Sequence, residues 1–173
     1  ELSSAGIRKV LIHHDGGAYL SATGLLPSLK QDLENAGISY VELGGVRPNP
    51  RLTLVREGIA LARSEGVDAV VAVGGGSVID SSKAIGLGAV AECDVWDLFT
   101  GAQAPTRTLP VAAIVTNPAS GSESSQVVVV NNEEESSKLL ISDPVCRPAF
   151  AFMNPELTVS LPAFPTACGI VDM

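Results

Sequence analysis

The sequence is poor in cysteine, in aromatic residues and in positive charge. Its 173 residues include three cysteines and 4% aromatic residues, and no two cysteines form a C-x-x-C pair. This spacing excludes a disulfide framework and the usual zinc and redox motifs. We therefore expect a reducing, cytoplasmic setting.

Positive charge and long apolar runs are also scarce. Lysine and arginine number 11 against 19 acidic residues, and the net charge is −8. Without a basic cluster the chain is a poor candidate for binding nucleic acid, because phosphate recognition depends on clustered Lys and Arg. No apolar stretch approaches the roughly 18 residues that a membrane span needs. We expect neither nucleic acid nor a membrane as a partner.

What the sequence does contain is an alternation of apolar runs with stretches of helical periodicity. Strands are predicted at KVLIHH, SYVEL, DAVVAV and TLPVAAIVT, and helices at 25–36 and 52–64. This alternation is typical of an α/β fold, in which a parallel sheet is wound with helices. Ligands of such sheets bind at the carboxyl ends of the strands, where Gly16, Gly17 and Gly74–Gly76 are expected.

The second half of the chain predicts shorter strands. QVVVV, KLLIS and AFAFM are strand-like, and the acidic NNEEESS between the first two reads as the solvated tip of a hairpin. NPELTVSLP reads as a linker, and 162–173 as the opening of a helix. The adjacent His13 and His14 would point to opposite faces of a strand, which argues against a shared metal site.

The stretch AVGGGSVIDSSKAIG carries the strongest chemical signal. Gly74, Gly75 and Gly76 let the backbone approach a ligand closely, and Ser77 with Asp80 has the spacing of a capping box. Free N–H groups at such a helix start favour a phosphate. The alternative is a tight turn that only packs closely. Neither G-x-G-x-x-G nor the P-loop pattern fits.

These residues resemble the cofactor loop of the iron-containing (group III) alcohol dehydrogenases, which carry GGGS-x-x-D-x-x-K-x-I. GGVRPNP, TNPASGSESS, NPELTVSLP and ACGIVDM resemble four further elements of that family, in the same order. The butanol-dehydrogenase-like branch is the most similar. The resemblance implies a Rossmann-like, dehydroquinate-synthase-like domain over residues 1–160. Residues 161–173 would then be a linker and the first turns of a helical metal-binding domain that this chain lacks.

The resemblance also implies the contacts to NAD(P). In the family the glycine turn holds the pyrophosphate, which corresponds to Gly75, Gly76 and Ser77. The other matching positions are Asp80 near the turn, the hydroxyl-bearing Thr116, Ser120 and Ser122 along the ribose and adenosine, and Lys138 near a ribose.

The first turn, HHDGGAYLSATG, would lie near the adenosine ribose. Family members with an acid there tend to use NAD, and those with glycine can accept NADP. Asp15, Gly16 and Gly17 all fall in this turn. Counting back from Gly24 places Gly17 at the deciding position, which leans to NADP.

For the metal, the resemblance implies a divalent ion, Fe²⁺ or Zn²⁺, with Asp172 as one ligand and histidines beyond this chain as the others. The implied activity is hydride transfer between NAD(P) and a primary alcohol or aldehyde by a homodimer, with no catalytic residue in this chain. A relative of glycerol dehydrogenase or dehydroquinate synthase stays open as an alternative. A stand-alone nucleotide-binding module is another. A flavodoxin-like receiver is disfavoured, because its acidic cluster is missing.

Overall fold

Seven strands are present in the computed structural model, which describes residues 2–159 and 161–172. They are β1 (Lys9–His14), β2 (Ser39–Leu43), β3 (Ala69–Gly74), β4 (Val111–Val115), β5 (Val127–Asn132), β6 (Ser137–Ser142) and β7 (Phe150–Phe152). Five of them form a parallel sheet in the order β2-β1-β3-β4-β7, and β5 and β6 form an antiparallel hairpin.

The described residues also form six α-helices, five of them between strands and one after β7. They are α1 (Ala18–Ala22), α2 (Leu25–Asn35), α3 (Leu52–Glu65), α4 (Gly76–Val90), α5 (Val95–Phe99) and α6 (Ala163–Asp172). α3 ends where Gly66 adopts φ 60°, a left-handed conformation that glycine takes without strain. None of the helices in the described ranges is both long and apolar enough to cross a membrane.

Helices cover both faces of the sheet, which is why its inner strands are continuously apolar. Alternate residues of β1 and β3 contribute to two separate cores. Leu11 and Val70 pack with α3 and α4 on one face, whereas Val10 and Val71 pack with α1 and α2 on the other. The strand order reverses direction between β1 and β3, and this creates a crevice at the carboxyl edge.

The β5–β6 hairpin adds to the α3/α4 side. Val128, Val130 and Ile141 point inward and belong to the same core cluster as Ile79 and Ile85 of α4. Val129 and Leu140, which are paired across the hairpin, point away from this core. The hairpin therefore covers α4, the helix that follows the glycine turn.

The structure confirms the predicted α/β architecture and the predicted acidic hairpin tip, and it corrects several bounds. β4 begins at Val111 rather than at residue 108, because the preceding segment runs as irregular chain. The short helices α1 and α5 were not predicted, and Pro155–Thr158 within the expected linker is a 3₁₀ helix. The last segment is helical over Ala163–Asp172, as expected.

Candidate functional site

A groove of about 570 Å³ opens at the carboxyl edge of the sheet, over the crevice between β1 and β3. Its walls come from the turns after four parallel strands and from the segment before α6. Each of these five parts contributes lining residues, for example, in chain order, Asp15, Arg47, Gly76, Thr116 and Leu161. The volume lies within the roughly 300–1,000 Å³ of ordinary small-molecule sites, and the position is the one at which open α/β sheets bind ligands.

One wall of the groove is the start of α4. Gly75 is the N-cap residue, in an extended conformation, and Gly76 begins the helix. The predicted capping box is wrong: no side chain caps this helix, and the Ser77 hydroxyl instead accepts a hydrogen bond from the Asn49 N–H at 3.3 Å. Within residues 2–159 and 161–172, the N–H groups of Gly76 and Ser77 have no acceptor. They are free to bind an anion, which the helix dipole also favours.

Glycine is required at position 76 by close packing. A Cβ atom added to Gly76 would overlap with the Ser120 hydroxyl and lie 2.9 Å from the Ser120 Cβ. At Gly75 an added Cβ would lie 3.3 Å from the Asn117 Cβ. The loop after β4 therefore rests directly on the glycine turn.

Asn117 provides an observation that points to a ligand. Its Oδ1 atom is buried and has no hydrogen-bond partner in the described part of the chain, and the residue lines the groove. A buried acceptor left unpaired costs roughly 1–3 kcal/mol. A bound molecule with an N–H or O–H donor would satisfy it, as the amides and hydroxyls of a dinucleotide can.

Three polar side chains are joined across the crevice. The Tyr19 hydroxyl lies 3.2 Å from Asp15 Oδ2 and 3.1 Å from Thr116 Oγ1. The other Asp15 oxygen accepts the Gly17 N–H at 2.8 Å. Burial raises the pKa of Tyr19 to about 12, so the phenol stays neutral and can donate a hydrogen bond.

Asp80 and Ser122 lie beneath this wall and bind each other. Ser122 Oγ donates to Asp80 Oδ1 at 2.5 Å, and the Val129 N–H donates to Asp80 Oδ2 at 3.1 Å. Lys83, 1% exposed, donates to Ser122 Oγ at 2.9 Å and to the carbonyls of Ser125 and Val127. Burial raises the pKa of Asp80 and lowers the pKa of Lys83, and each opposite charge counteracts the shift of the other.

Lys138 lies outside the groove, on the hairpin. Its ammonium donates to Asn49 Oδ1 at 2.8 Å, and Asn49 in turn bonds to Ser77. Pro48 lines both the main groove and the shallower pocket beside Lys138. Asn49 thus links Lys138 to Ser77 of the glycine turn by hydrogen bonds.

The structure brings only part of the predicted set together. Asp15, Gly75, Gly76, Ser77 and Thr116 line the groove. Gly16, Gly17 and Ser120 are not among its lining residues. Gly16 packs on Gly45, Gly17 packs on Tyr19, and Ser120 packs on Gly76. Asp80, Ser122 and Lys138 do not line the groove, and direct contact with a cofactor stays a prediction for every residue of the set.

The predicted metal ligand cannot be placed in the same way. Asp172 ends α6, but its side chain lies outside what the structure describes. Among the described residues no group of three or more His, Cys, Asp or Glu side chains could hold a metal ion.

Sequence reasoning missed Tyr19, Arg47 and Asn117 as groove residues. Arg47 and Asn117 follow the ends of β2 and β4, so the rule for carboxyl edges could have found them. Tyr19 has a local partner in Asp15, four residues before it, but no motif marks the pair, and its other partner, Thr116, lies 97 residues away.

The two histidines of β1 point to opposite faces, as predicted. His13 is fully buried, with Nδ1 2.8 Å from the Leu43 carbonyl and Nε2 2.8 Å from Ser81 Oγ. His14 lies 2.8 Å from Glu42 Oε1, and its Nδ1 accepts the Gly16 N–H at 2.9 Å. His14 therefore helps to fix the first turn of the groove.

Comparison with known proteins adds an independent finding. The NADH-dependent butanol dehydrogenase A of Clostridium acetobutylicum is 37% identical over 173 residues, which is 100% of this chain and 44% of the relative. The NADPH-dependent aldehyde reductase YqhD of Escherichia coli is 33% identical over 167 residues, which is 95% of this chain and 42% of the relative. The crystal structure of an NADH-dependent butanol dehydrogenase A from Thermotoga maritima superimposes with a TM-score of 0.95 at 37% identity, covering 99% of this chain and 43% of that one.

The chain therefore spans less than half the length of these relatives. The sequence profile described as iron-containing alcohol dehydrogenase matches residues 1–155, which is most of the chain. On this match, the chain belongs to the iron-containing alcohol dehydrogenase family.

Proposed function

We propose that the groove binds NAD(P), and that the chain supplies the cofactor-binding part of an enzyme that interconverts a primary alcohol and an aldehyde. The observation that carries the proposal is the free N–H pair of Gly76 and Ser77 at the start of α4, inside a groove over the reversal in strand order. This arrangement suits a pyrophosphate, since both the N–H groups and the helix dipole favour negative charge.

The remaining walls suit the other parts of a dinucleotide. Arg47 brings a positive charge to the groove, Thr116 a hydroxyl, and Asn117 an unsatisfied acceptor. Bound NAD(P) would supply the hydride acceptor or donor. The residues of this chain would bind the cofactor and orient it toward the substrate, which is the protein's contribution to the reaction.

For the choice of cofactor we propose NAD. Asp15 lines the groove, whereas Gly17 is not among its lining residues and packs against the Tyr19 ring. A carboxylate accepts a hydrogen bond from the 2′-hydroxyl of NAD and repels the 2′-phosphate of NADP. This favours NAD over the NADP that the position of Gly17 suggested. The named relatives include both an NADH-dependent and an NADPH-dependent enzyme.

We extend the proposal to the whole protein on family membership. The extended proposal has three parts. The metal is a divalent ion, Fe²⁺ or Zn²⁺, with Asp172 as one ligand. The substrate is a small alcohol or aldehyde, and the protein assembles as a homodimer. The described residues provide no three-ligand cluster that could hold this metal by itself. Three free cysteines in separate parts of the fold support a cytoplasmic location.

Titration calorimetry with NADH tests the assignment. Gly76→Val places a branched side chain on Ser120 and across the free N–H groups, so we expect the affinity for NADH to fall about tenfold or more. Thr53→Val is the matched control, because it puts valine into the exposed first turn of α3, outside the groove. Circular dichroism checks that both variants keep the fold. Equal NADH affinity in all three proteins refutes the phosphate site.

A further inference from the structure

Tyr19 lines the groove, although no motif marks it. It belongs to the short helix α1, and its hydroxyl reaches both the carboxylate of Asp15 and the hydroxyl of Thr116. These two partners lie on opposite sides of β3, at the ends of β1 and β4. Tyr19 therefore bridges the groove at the point where strand order reverses.

The direction of these hydrogen bonds follows from the groups involved. An ionised carboxylate only accepts, so the Tyr19 O–H donates to Asp15 Oδ2. The Tyr19 oxygen then accepts the proton of Thr116 Oγ1. Since the Gly17 N–H donates to Asp15 Oδ1, both carboxylate oxygens are held, and the carboxylate cannot rotate out of the groove without breaking a bond.

This leaves the carboxylate able to discriminate between ligands. Its two oxygens offer about four lone-pair sites, and two of them are used by Gly17 and Tyr19. A sugar hydroxyl can donate to a remaining site, whereas a phosphate at the same place meets a fixed negative charge. The discrimination depends on the carboxylate staying where it is.

We propose that Tyr19 is a positioning residue that sets the preference for NADH over NADPH by holding the Asp15 carboxylate in the groove. The inference rests on the proposed function, and specifically on Asp15 facing the adenosine ribose. Tyr19 acts through Asp15 and need not contact the ribose itself. Removing its hydroxyl frees Asp15 to swing toward solvent, which weakens repulsion of the 2′-phosphate and contact with the 2′-hydroxyl together.

The experiment measures the dissociation constants of the full chain for NADH and NADPH by titration calorimetry. For Tyr19→Phe we expect the NADPH-to-NADH ratio of dissociation constants to fall about fivefold, since one hydrogen bond to a charged group is lost. Tyr40→Phe is the matched control. It also removes a tyrosine hydroxyl bonded to a carboxylate, Glu34 Oε1 at 3.1 Å, but outside the groove. Its ratio should equal that of the parent chain. A general loss of stability would weaken the binding of both cofactors equally and leave the ratio of their dissociation constants unchanged.

Asp15→Asn and the double variant separate the two levels of the proposal. Asp15→Asn should lower the ratio at least as far as Tyr19→Phe does, and adding Tyr19→Phe to it should lower the ratio no further. If Asp15→Asn lowers the ratio and Tyr19→Phe does not, the role of Tyr19 is refuted and the site stands. If neither variant changes the ratio, Asp15 does not face the ribose, and the inference fails while dinucleotide binding stands. If the parent chain binds neither cofactor, both proposals fail.

Discussion

The ring of Tyr19 occupies the volume that a side chain at Gly17 would need. A Cβ atom at residue 17 would lie 2.6 Å from Tyr19 Cε1 and 3.1 Å from Asp15 Oδ1. The backbone of Gly17 has φ −61° and ψ 141°, which any residue adopts. Glycine is therefore required here by its neighbour and not by the backbone, and a glycine at this place says nothing in itself about a cofactor phosphate.

The first prediction concerns this pair. Gly17→Ala should destabilise the chain by about 1–3 kcal/mol, because the added methyl forces the Tyr19 ring to move. In a Tyr19→Ser background the same change should be neutral or stabilising by up to about 1 kcal/mol, since the space is open and alanine restricts the unfolded chain. Urea unfolding of the four proteins gives the coupling free energy. Additive effects would show that the ring and the glycine are independent.

The second prediction concerns the buried ion pair under the groove. Lys83→Met leaves Asp80 buried beside an apolar chain and leaves the carbonyls of Ser125 and Val127 without their donor. We expect a loss of about 3 kcal/mol in the free energy of unfolding. Hydrogen exchange should increase first in β5, because Lys83 and Asp80 together fasten that strand to α4.

The control for this variant is a lysine that is paired at the surface. Lys9→Met removes an ion pair with Glu65 whose side chains are 27% and 41% exposed. Exposed pairs contribute about 0–1 kcal/mol, so this variant should unfold close to the parent. Similar losses in both variants would contradict a special role for the buried pair.

The sheet could be predicted from the sequence because its signals are local. Buried parallel strands such as β3 are continuous apolar runs in the sequence, and Gly66 marks the end of α3. The glycine turn was located for the same reason. Its place at the groove followed from the rule that ligands bind at the carboxyl edge of a parallel sheet.

The contacts that complete the site are long-range, and the sequence does not specify them. Ser77 and Asp80 have capping-box spacing, yet their partners are Asn49 and Val129, 28 and 49 residues away. The capping-box interpretation failed because α4 begins at Gly76, which places Ser77 inside the helix and not at its N-cap. Tyr19 was missed because its bond to Thr116 exists only once the sheet has formed.

The third prediction concerns Asn117 and separates binding from stability. Because its Oδ1 is buried and unpaired, Asn117→Ala should leave the free energy of unfolding unchanged or raise it slightly. The same variant should weaken NADH binding about threefold to tenfold, since the acceptor for a ligand donor is gone. Thermal unfolding and calorimetry give the two numbers. Loss of stability with intact NADH binding would mean that Asn117 serves the loop and not the ligand.

The last prediction is the effect of pH on stability through His13. Burial lowers the pKa of His13 from 6.5 to about 4, against a smaller opposing effect of the Leu43 carbonyl, and the neighbouring His14 lowers it further. The unfolded chain therefore binds a proton at pH values where the folded chain does not. Stability from this group is complete above pH 6.5, falls as the pH drops below that value, and levels off below about pH 4. Between about pH 7 and about pH 4.5 the loss should be about 2–3 kcal/mol.

His13→Gln cannot titrate, so its urea midpoint should change less than that of the parent over this interval. Ser81→Ala, which removes the hydroxyl bonded to Nε2, should keep the full pH dependence. Parallel pH profiles for the parent and His13→Gln would show that His13 is not the titrating group.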